Sequence, residues 1–262
     1  MADIVGQKDG NVLTILLNRP ERKNAFTHDM IEEWVRLVDQ AREDHDVHVV
    51  VLTGAGDTFC AGVDTSALTG EKFGNDDLNS LQSHVLRLAL TMEELDKPVI
   101  AAINGAAVGA GLGLALQPDL RFFSSTARVS EAYINWGSFP GDGDTHYLPR
   151  LVGTSKALEM MWTGDPIDAQ EALRIGLANR VYEPDELMPA TYEFAHRLAD
   201  RPRLAVRAVK RAVYASERET LRDAVGTITA YSRLAGQSPD REKELRKFFA
   251  GKASKKKDPS ND

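Results

Sequence analysis

The chain has 262 residues, 42% of them apolar and 27% charged, so it is long enough to bury a sizeable core and has the composition of a globular protein. The net charge of −7 argues against a nucleic-acid partner, and we interpret the basic C-terminal end as a solvated tail. The single cysteine, Cys60, excludes an intramolecular disulfide, and no signal peptide or membrane span is visible; we therefore expect a cytoplasmic protein with no membrane partner.

The first half of the chain alternates predicted strands with predicted helices. The β-rich run Val12–Leu17 predicts a strand, Thr27 the cap of a following helix, and residues 47–53 a strand buried on both faces. A second helix is predicted before Pro98, and the strand Val99–Ile103 follows it. The predicted apolar positions of this second helix are Leu81, Val85, Leu88, Leu90 and Leu95.

Such alternation is typical of right-handed β-α units, which predicts an α/β fold. Helical periodicity dominates after residue 154, and no linker separates the two parts. We therefore predict a catalytic core over residues 1–195, a helical C-terminal region over 196–250 and a disordered basic tail over 251–262.

Two loops rich in glycine and alanine carry the chemistry that the sequence predicts. Residues 59–64 (FCAGVD) and 98–111 (PVIAAINGAAVGAG) each lead from a strand-like run into small residues and then a predicted helix start. Small residues let a ligand approach the main chain, and helix starts leave N–H groups without internal partners. Two such loops facing each other would bind a developing oxyanion, which points to acyl chemistry.

Other glycine-rich and metal sites are not supported by the spacing. Gly54 and Gly56 follow a strand, but Phe59 stands where a dinucleotide-binding fingerprint needs its third glycine. The six histidines show no metal-ligand spacing, so no metal site is predicted. We interpret Cys60 as a small buried residue rather than a nucleophile, since no histidine lies near it in sequence.

Several motifs in the right order resemble the crotonase (enoyl-CoA hydratase/isomerase) superfamily. Besides the two loops, they are residues 18–26 (NRPERKNAF), 139–141 (FPG), 148–153 (LPRLVG), 163–164 (TG), 169–172 (AQEA) and 176–181 (GLANRV). The resemblance runs from about residue 5 to residue 250. It implies a spiral of β-β-α turns with a helical C-terminal part that builds homotrimers, often paired into dimers of trimers.

The resemblance also implies the substrate and the residues that bind it. The substrate would be an acyl-CoA thioester, with CoA as part of the substrate and no separate cofactor. Its carbonyl would accept hydrogen bonds from the backbone N–H groups of Val63 and Ala110. Implied substrate-binding positions are Lys23, Ala25, Phe26, Ala61, Gly62, Asp64, Thr65, Leu68 and Gly109. Further candidates for substrate binding, in the segment that precedes Asp142, are Glu131, Trp136, Pro140 and Gly141.

The chain departs from the hydratases of this family at both catalytic acids. The two glutamates that hold water in typical hydratases correspond here to Gly113 and Tyr133. Because acid–base assistance is worth roughly 10²–10⁴-fold in rate, isomerisation, decarboxylation or hydrolysis fits better than hydration. Tyr133 is interpreted as lining the acyl pocket or donating a proton, since tyrosine, with a pKa of about 10, is a poor base.

Asp142 is the leading candidate for moving protons, in a segment similar to 6-oxocamphor hydrolase, a crotonase relative. That segment is residues 140–143 (PGDG) with His146 close behind, and in the relative an aspartate at position 142 works with a histidine at position 133. An aspartate in such a turn also bonds the turn's own backbone, so both roles stay open for Asp142. Asp144 is predicted to cap a helix over 145–151, with His146 facing outward.

Trp136 and Phe139 fit either a pocket wall or core packing.

Three functions follow from these observations. The first is an acyl-CoA enzyme that stabilises a thioester enolate, and the second is a carbon–carbon hydrolase of β-diketones. The third is a non-catalytic acyl-CoA-binding protein, which the loss of both glutamates would permit.

Overall fold

The computed structural model describes residues 2–64 and 75–255. The predicted substrate-binding positions Thr65 and Leu68 lie outside the described residues. In the described part of the chain the strands are β1 (Ile4–Asp9), β2 (Val12–Leu17), β3 (Val49–Gly54), β4 (Thr58–Cys60), β5 (Val99–Ile103), β6 (Ala106–Val108), β7 (Leu120–Ser124), β8 (Arg128–Ser130), β9 (Ile167–Asp168) and β10 (Arg180–Tyr182).

The helices of the described residues alternate with these strands in the first half of the chain and dominate the second half. They are α1 (His28–Glu43), α2 (Asn75–Glu94), α3 (Ala110–Leu116), α4 (Asp144–Val152), α5 (Thr154–Thr163), α6 (Ala169–Arg174), α7 (Leu187–Ala199), α8 (Arg203–Ser216), α9 (Leu221–Gly236) and α10 (Pro239–Lys255). Short 3-10 turns cover Pro20–Arg22 and Ala132–Trp136. Within the described residues no helix is both long enough and apolar enough to cross a bilayer.

The larger sheet has six strands in the order β1-β2-β3-β5-β7-β10. All neighbours in it run parallel except β1 and β2, which form an antiparallel hairpin. Every residue of β3 and of β5 is buried, as expected for central parallel strands covered on both faces. The predicted strands Val12–Leu17 and Val99–Ile103 are confirmed with these bounds, and the strand predicted at 47–53 is β3.

A smaller sheet, in the order β4-β6-β8-β9, positions the candidate site. Because β4 and β6 are parallel neighbours, their carboxyl ends, at Cys60 and Val108, lie at the same edge. The two glycine-rich loops begin there. Sequence analysis did not predict this sheet, since its strands have only two or three residues and show no period of their own.

The helix predicted to start after Thr27 is α1. The Thr27 hydroxyl accepts a hydrogen bond from the Met30 backbone N–H, which satisfies one of the free donors of the first turn. The apolar face of α1 is buried, and Trp34 in it is among the largest fully buried side chains. On α2, Val85 and Leu88 are buried as predicted.

Two positions of the second predicted helix differ from expectation. Leu90 is 63% exposed, because it lies off the stripe formed by Val85, Leu88 and Met92. Leu95 is buried, but it follows the last residue of α2 rather than belonging to the helix.

The chain divides into two compact units between Leu198 and Ala199. The second unit contains α8, α9 and α10, and α8 packs against α9 within it. The predicted boundaries at 195/196 and 250/251 stay predictions. α10 continues to Lys255, so residues 251–255, predicted as disordered, are helical, and residues 256–262 of the predicted tail lie outside the described residues.

Asn24 ties its own loop, residues 18–26, to the short connection between β3 and β4. It is fully buried and adopts a left-handed backbone conformation (φ 54°), which asparagine tolerates better than most residues. Its side-chain amide donates to the carbonyls of Ala55 (2.8 Å) and Thr58 (2.6 Å), and its oxygen accepts from the Arg19 N–H (2.9 Å). The motif at 18–26 therefore has a structural role as well as its predicted binding role.

We expect Asn24→Ala to lower the free energy of unfolding by about 2–4 kcal/mol, because it removes three hydrogen bonds to buried or partly buried backbone groups. The shift in the urea unfolding midpoint measures this effect. The matched control is Asn18→Ala, whose side chain makes an exposed hydrogen bond to Ala2 and should cost less than about 1 kcal/mol. Equal midpoints for the two variants would contradict the structural role of Asn24.

Candidate active site

The two glycine-rich loops lie backbone against backbone. A Cβ built on Gly111 would come within 2.1 Å of the Cys60 carbonyl oxygen, and one on Gly62 within 2.9 Å of the Val108 carbonyl oxygen. Gly62 also has a φ of +95°, which side chains other than hydrogen rarely permit. Only glycine allows this approach, so the loops that the sequence singled out do face each other.

The N–H groups of Val63 and Ala110 hold no partner in the described part of the chain. Ala110 is the first residue of α3, where a helical N–H has no carbonyl one turn earlier to bond. An ideal Cβ on Gly62 lies 3.8 Å from the Ala110 nitrogen, so the second loop's donor is adjacent to the first loop. The arrangement leaves two unpaired backbone donors in neighbouring loops.

The side chain of Arg19 holds the first glycine-rich loop, residues 59–64, in place. Its guanidinium donates to the Ala25 carbonyl (2.8 Å) and pairs with the Asp64 carboxylate (2.9 Å), and both charged side chains are largely buried. Asp64, predicted as a substrate contact, is therefore engaged by an arginine of the chain itself. Such a pair holds Asp64, the residue that follows the Val63 donor.

The other predicted binding positions of the first two motifs are distributed over exposed and buried sites. Lys23 is exposed with a φ of 52°, and its carbonyl accepts from the Ala61 N–H. Ala25 is 9% exposed. The side chain of Phe26 is fully buried in the core, and its main chain bonds residues of the first loop, so the structure places it under the predicted binding surface rather than on it.

Tyr133 and Asp142 form a hydrogen-bonded dyad next to α3. The Tyr133 hydroxyl donates to the Asp142 carboxylate at 2.6 Å. The Tyr133 ring lies 3.9 Å from the position of a Cβ on Gly109, the residue that precedes α3. The dyad is therefore beside the helix start that carries the Ala110 donor. Sequence reasoning singled out both residues, but not their contact.

Burial controls the protonation of the dyad. It raises the pKa of the Asp142 carboxyl above its ordinary value, while the hydrogen bond from Tyr133 opposes that rise. The pKa of the Tyr133 hydroxyl is raised far above its ordinary value by burial and by the charges of Asp144 and Asp142. Tyr133 therefore stays protonated at neutral pH, and its hydrogen bond favours the ionised form of Asp142.

Asp144 and Glu131 lie behind the dyad, and the role expected for Asp144 is wrong. Gly143, with a φ of +99°, occupies the cap position of α4, and Asp144 is the first helical residue. Its carboxylate is fully buried and accepts the Asp142 backbone N–H at 3.2 Å. The short turn after Gly141 rotates this side chain inward, toward α3, instead of over the helix end.

The two carboxyl groups hold their protons at unusually high pH. Burial, and then the Asp144 charge, raise the pKa of Glu131 to about 9, while burial, and then the Asp142 charge, raise that of Asp144 to about 7. Both carboxylate oxygens of Glu131 and Oδ1 of Asp144 lack a well-formed hydrogen bond in the described residues. Buried oxygens without a well-formed hydrogen bond are uncommon in folded proteins, so this pair calls for an explanation.

The remaining substrate-binding candidates, within residues 136–141, differ in exposure and in their contacts. Trp136 and Phe139 are 81% and 69% exposed, so the core-packing interpretation of both is wrong, and a role as pocket wall stays a prediction. Pro140 is partly buried. The Gly141 carbonyl accepts from the Gln82 side chain of α2 at 3.1 Å, a contact that sequence analysis missed.

His146 is exposed on α4, as expected.

Cys60 is fully buried, and burial raises the pKa of its thiol to about 12, so the interpretation of a small buried residue is confirmed. Its thiol lies 3.2 Å from the Asn24 carbonyl. In the described residues no group of histidine, cysteine and carboxylate side chains is arranged to hold a metal ion.

Comparison with known proteins defines the class to which this fold and site belong. The sequence model of the enoyl-CoA hydratase/isomerase family matches residues 7–254. The chain belongs to this family, a part of the crotonase superfamily, and is an enzyme of the hydratase/isomerase class. The finer resemblance of residues 140–143 to 6-oxocamphor hydrolase stays a prediction.

Individual relatives include both kinds of enzyme. The chain is 38% identical over 218 residues to a short-chain-enoyl-CoA hydratase of Clostridium acetobutylicum, covering 80% of each sequence. It is 32% identical over 252 residues to a 1,2-epoxyphenylacetyl-CoA isomerase of Escherichia coli, covering 95% of this chain and 96% of that one. Its structure matches a crystal structure of an enoyl-CoA hydratase from Bacillus anthracis with a TM-score of 0.92 and 31% identity, over 95% and 97% of the two chains.

Burial of the thiol makes Cys60 unreactive in the folded protein. We expect a thiol reagent to label native protein at neutral pH at least about 100-fold more slowly than unfolded protein. The variant Ser216→Cys, at an exposed position, is the matched control and should label at once with one equivalent. Rapid stoichiometric labelling of the native wild-type protein would contradict the placement of Cys60.

Proposed function

We propose that the protein binds an acyl-CoA thioester and stabilises its enolate through the N–H groups of Val63 and Ala110, with Asp142 moving a proton and Tyr133 assisting it. The observation that carries this proposal is the Tyr133–Asp142 hydrogen bond of 2.6 Å beside the start of α3. It puts a protonatable dyad beside the helix start that carries the Ala110 donor. Membership of an acyl-CoA enzyme family supports the substrate class.

In the proposed reaction the Asp142 carboxylate removes a proton from a carbon of the acyl group, next to the carbons that the thioester activates. The C–H bond breaks, an O–H bond forms on Asp142, and the electron pair moves through the carbon skeleton onto the thioester oxygen. Donors aimed at that oxygen stabilise the charge as it develops. Return of the proton to a different carbon completes a double-bond shift, so atoms and electrons balance without a cofactor beyond the substrate's CoA.

Isomerisation fits this dyad better than hydration. Hydration needs groups that hold and split a water, whereas Gly113 carries no side chain and the Tyr133 hydroxyl stays protonated. A relative named as an isomerase supports the choice of isomerisation, and the hydratase among the relatives makes hydration an outcome that the experiment below must test.

A second candidate function is hydrolysis of a carbon–carbon bond in a β-diketone. The pairing of residues 133 and 142 favours it, since an aspartate works with a side chain at the 133 position in the similar segment of 6-oxocamphor hydrolase. Affinity for free CoA separates the two candidates. A diketone hydrolase has no use for the nucleotide, whereas an acyl-CoA enzyme binds it.

We also propose self-association into a homotrimer or a dimer of trimers in the cytoplasm. Apolar side chains exposed on α8 and α9 support it, because a helix pair in water seldom leaves so many uncovered. They include Val209, Val213, Leu221, Val225 and Ile228.

Proton NMR of crotonyl-CoA and 3-hexenoyl-CoA with the purified protein in deuterated water tests the function. One series of spectra reports hydration, double-bond migration and exchange of carbon-bound protons. We expect migration or exchange without hydration. Rapid hydration would contradict the proposed reaction, and the absence of all three reactions would favour the carbon–carbon hydrolase or a non-catalytic acyl-CoA-binding protein.

Asp142→Asn should lower the exchange rate by about 10²–10⁴-fold, because it removes the proposed base while keeping its shape. Tyr133→Phe, which removes only the supporting hydrogen bond, should lower it less. The matched control is Asp165→Asn on the exposed surface, which should leave the rate unchanged. Full exchange by Asp142→Asn would show that another group is the base.

Ala110→Pro tests a backbone donor directly. Proline is well tolerated at the first position of a helix but has no N–H, so the donor is lost at little cost to α3. We expect the rate to fall by about 10²–10³-fold while affinity for free CoA, which has no thioester carbonyl, is kept. Ala110→Gly, which retains the N–H, should lose far less. Equal rates for the two variants would exclude Ala110 as a donor.

A further inference from the structure

Three buried carboxyl groups from different segments converge beside α3. Glu131 follows β8, Asp142 lies in the turn before α4, and Asp144 is the first residue of α4. Their exposures are 1%, 7% and 0%. No lysine, arginine or histidine of the described residues forms an ion pair with any of the three. Burying carboxyl groups together without a cation is costly, so the arrangement calls for a functional reason.

Gly113 makes the space that Asp144 fills. A Cβ on Gly113 would lie 2.7 Å from Oδ1 of Asp144 and 3.1 Å from Oδ2, so any side chain there would displace the carboxylate. Gly113 is interior to α3, where alanine is intrinsically favoured over glycine in a helix. Gly113 therefore makes room for the Asp144 carboxylate, although glycine is intrinsically unfavourable in the helix.

Asp144 reaches the dyad through the backbone. Its Oδ2 accepts the N–H of Asp142, which sets the direction from which the Asp142 side chain leaves the main chain. Its Oδ1 makes no well-formed hydrogen bond, although the residue is fully buried and its carboxylate interacts with the carboxyl group of Glu131. When Asp144 is ionised, it places a negative charge next to the base.

The titratable groups that face Asp144 are Asp142, Glu131 and Tyr133. α3, which packs against α4, carries no titratable side chain. α5 also packs against α4, and its Lys156 and Glu159 pair with each other at the surface.

On α4 itself, His146 and Arg150 are exposed and Tyr147 is partly buried. Glu131, whose pKa is raised to about 9, is protonated at neutral pH. Asp144 is therefore the neighbour of Asp142 that changes charge near neutral pH.

We propose that Asp144, whose carboxylate occupies the space left by Gly113, is a positioning residue that holds Asp142 and strengthens it as a base. This inference rests on the proposed function. In the reaction, negative charge leaves Asp142 for the thioester oxygen. An ionised Asp144 beside Asp142 repels the charge at its starting point, which favours the transfer.

The expected pH dependence follows from this repulsion. With the pKa of Asp144 raised to about 7, the residue is neutral below that pH and ionised above it. The exchange rate of the wild-type protein should therefore rise about tenfold as the pH increases through 7, in addition to the rise that reports ionisation of Asp142.

Asp144→Asn tests the proposal because it fixes this position in a neutral form of the same size. The exchange rate in deuterated water, measured from pH 5 to 9 with 3-hexenoyl-CoA, should lose the rise near pH 7 and stay about tenfold below the wild-type rate at high pH. Affinity for free CoA and the circular dichroism spectrum should be unchanged. Asp165→Asn, at an exposed site, should keep the wild-type profile.

Gly113→Ala tests the same proposal while keeping every ionisable group, and it stands alone if Asp144→Asn fails to fold. The added methyl group displaces the Asp144 carboxylate, so the rise near pH 7 should shrink or disappear. The matched control is Gly226→Ala in α9, where a Cβ would meet no atom within 4 Å. Its pH profile should equal that of the wild-type protein.

The outcomes separate this inference from the proposed function. Exchange by the wild-type protein with no rise near pH 7, or a rise that persists in Asp144→Asn, would overturn the role of Asp144 and leave the proposed function standing. Absence of exchange at every pH in the wild-type protein would overturn both. Loss of the rise in Asp144→Asn and Gly113→Ala, but not in the two controls, supports the proposal.

Discussion

The contact between two backbone segments governs the rest of this structure. Gly62 and Gly111 bring the loops after β4 and β6 so close that a methyl group on either would strike a carbonyl of the other loop. The parallel pairing of β4 with β6 brings the loops together, and the buried core beneath them fixes that pairing. Among the described residues the N–H groups of Val63 and Ala110, which lie in these two loops, have no hydrogen-bond partner. The chemistry of the site begins with that geometric constraint.

The parts of the fold that the sequence predicted are those with a strong local signal. Val12–Leu17 is a β-rich run interrupted only by Thr14, Val99–Ile103 is a continuous apolar run, and Thr27 caps a helix with a clear apolar stripe. β1 was missed because it lies at the sheet edge with only Ile4 fully buried, so no alternation marks it. The smaller sheet was missed because strands of two or three residues exist only through their long-range partners.

The candidate site divides in the same way. The glycine-rich loops could be predicted because close backbone approach demands a local composition. The dyad could be proposed residue by residue, but its hydrogen bond could not, since Tyr133 belongs to a 3-10 turn and Asp142 to a later turn. Asp144 was assigned as a helix cap because an aspartate near a predicted helix start usually is one. Only the direction of the chain after Gly143 shows that its side chain enters the site instead.

α3 carries no acidic side chain, but Gly113 leaves room beside the helix for the carboxylate of Asp144. The two residues together explain why the site still contains an acid there. A carboxylate on α3 would extend outward from the helix, whereas Asp144 enters from α4 and lies against the helix backbone, in contact with the main chain of Asp142. In the proposed reaction the charge of Asp144 therefore lies next to Asp142, the proposed base, and its carboxylate bonds the Asp142 main chain. A charge in that place changes the strength of its neighbour. Under this proposal an acid supplied by α4 acts on the base, which is consistent with moving a proton between carbons.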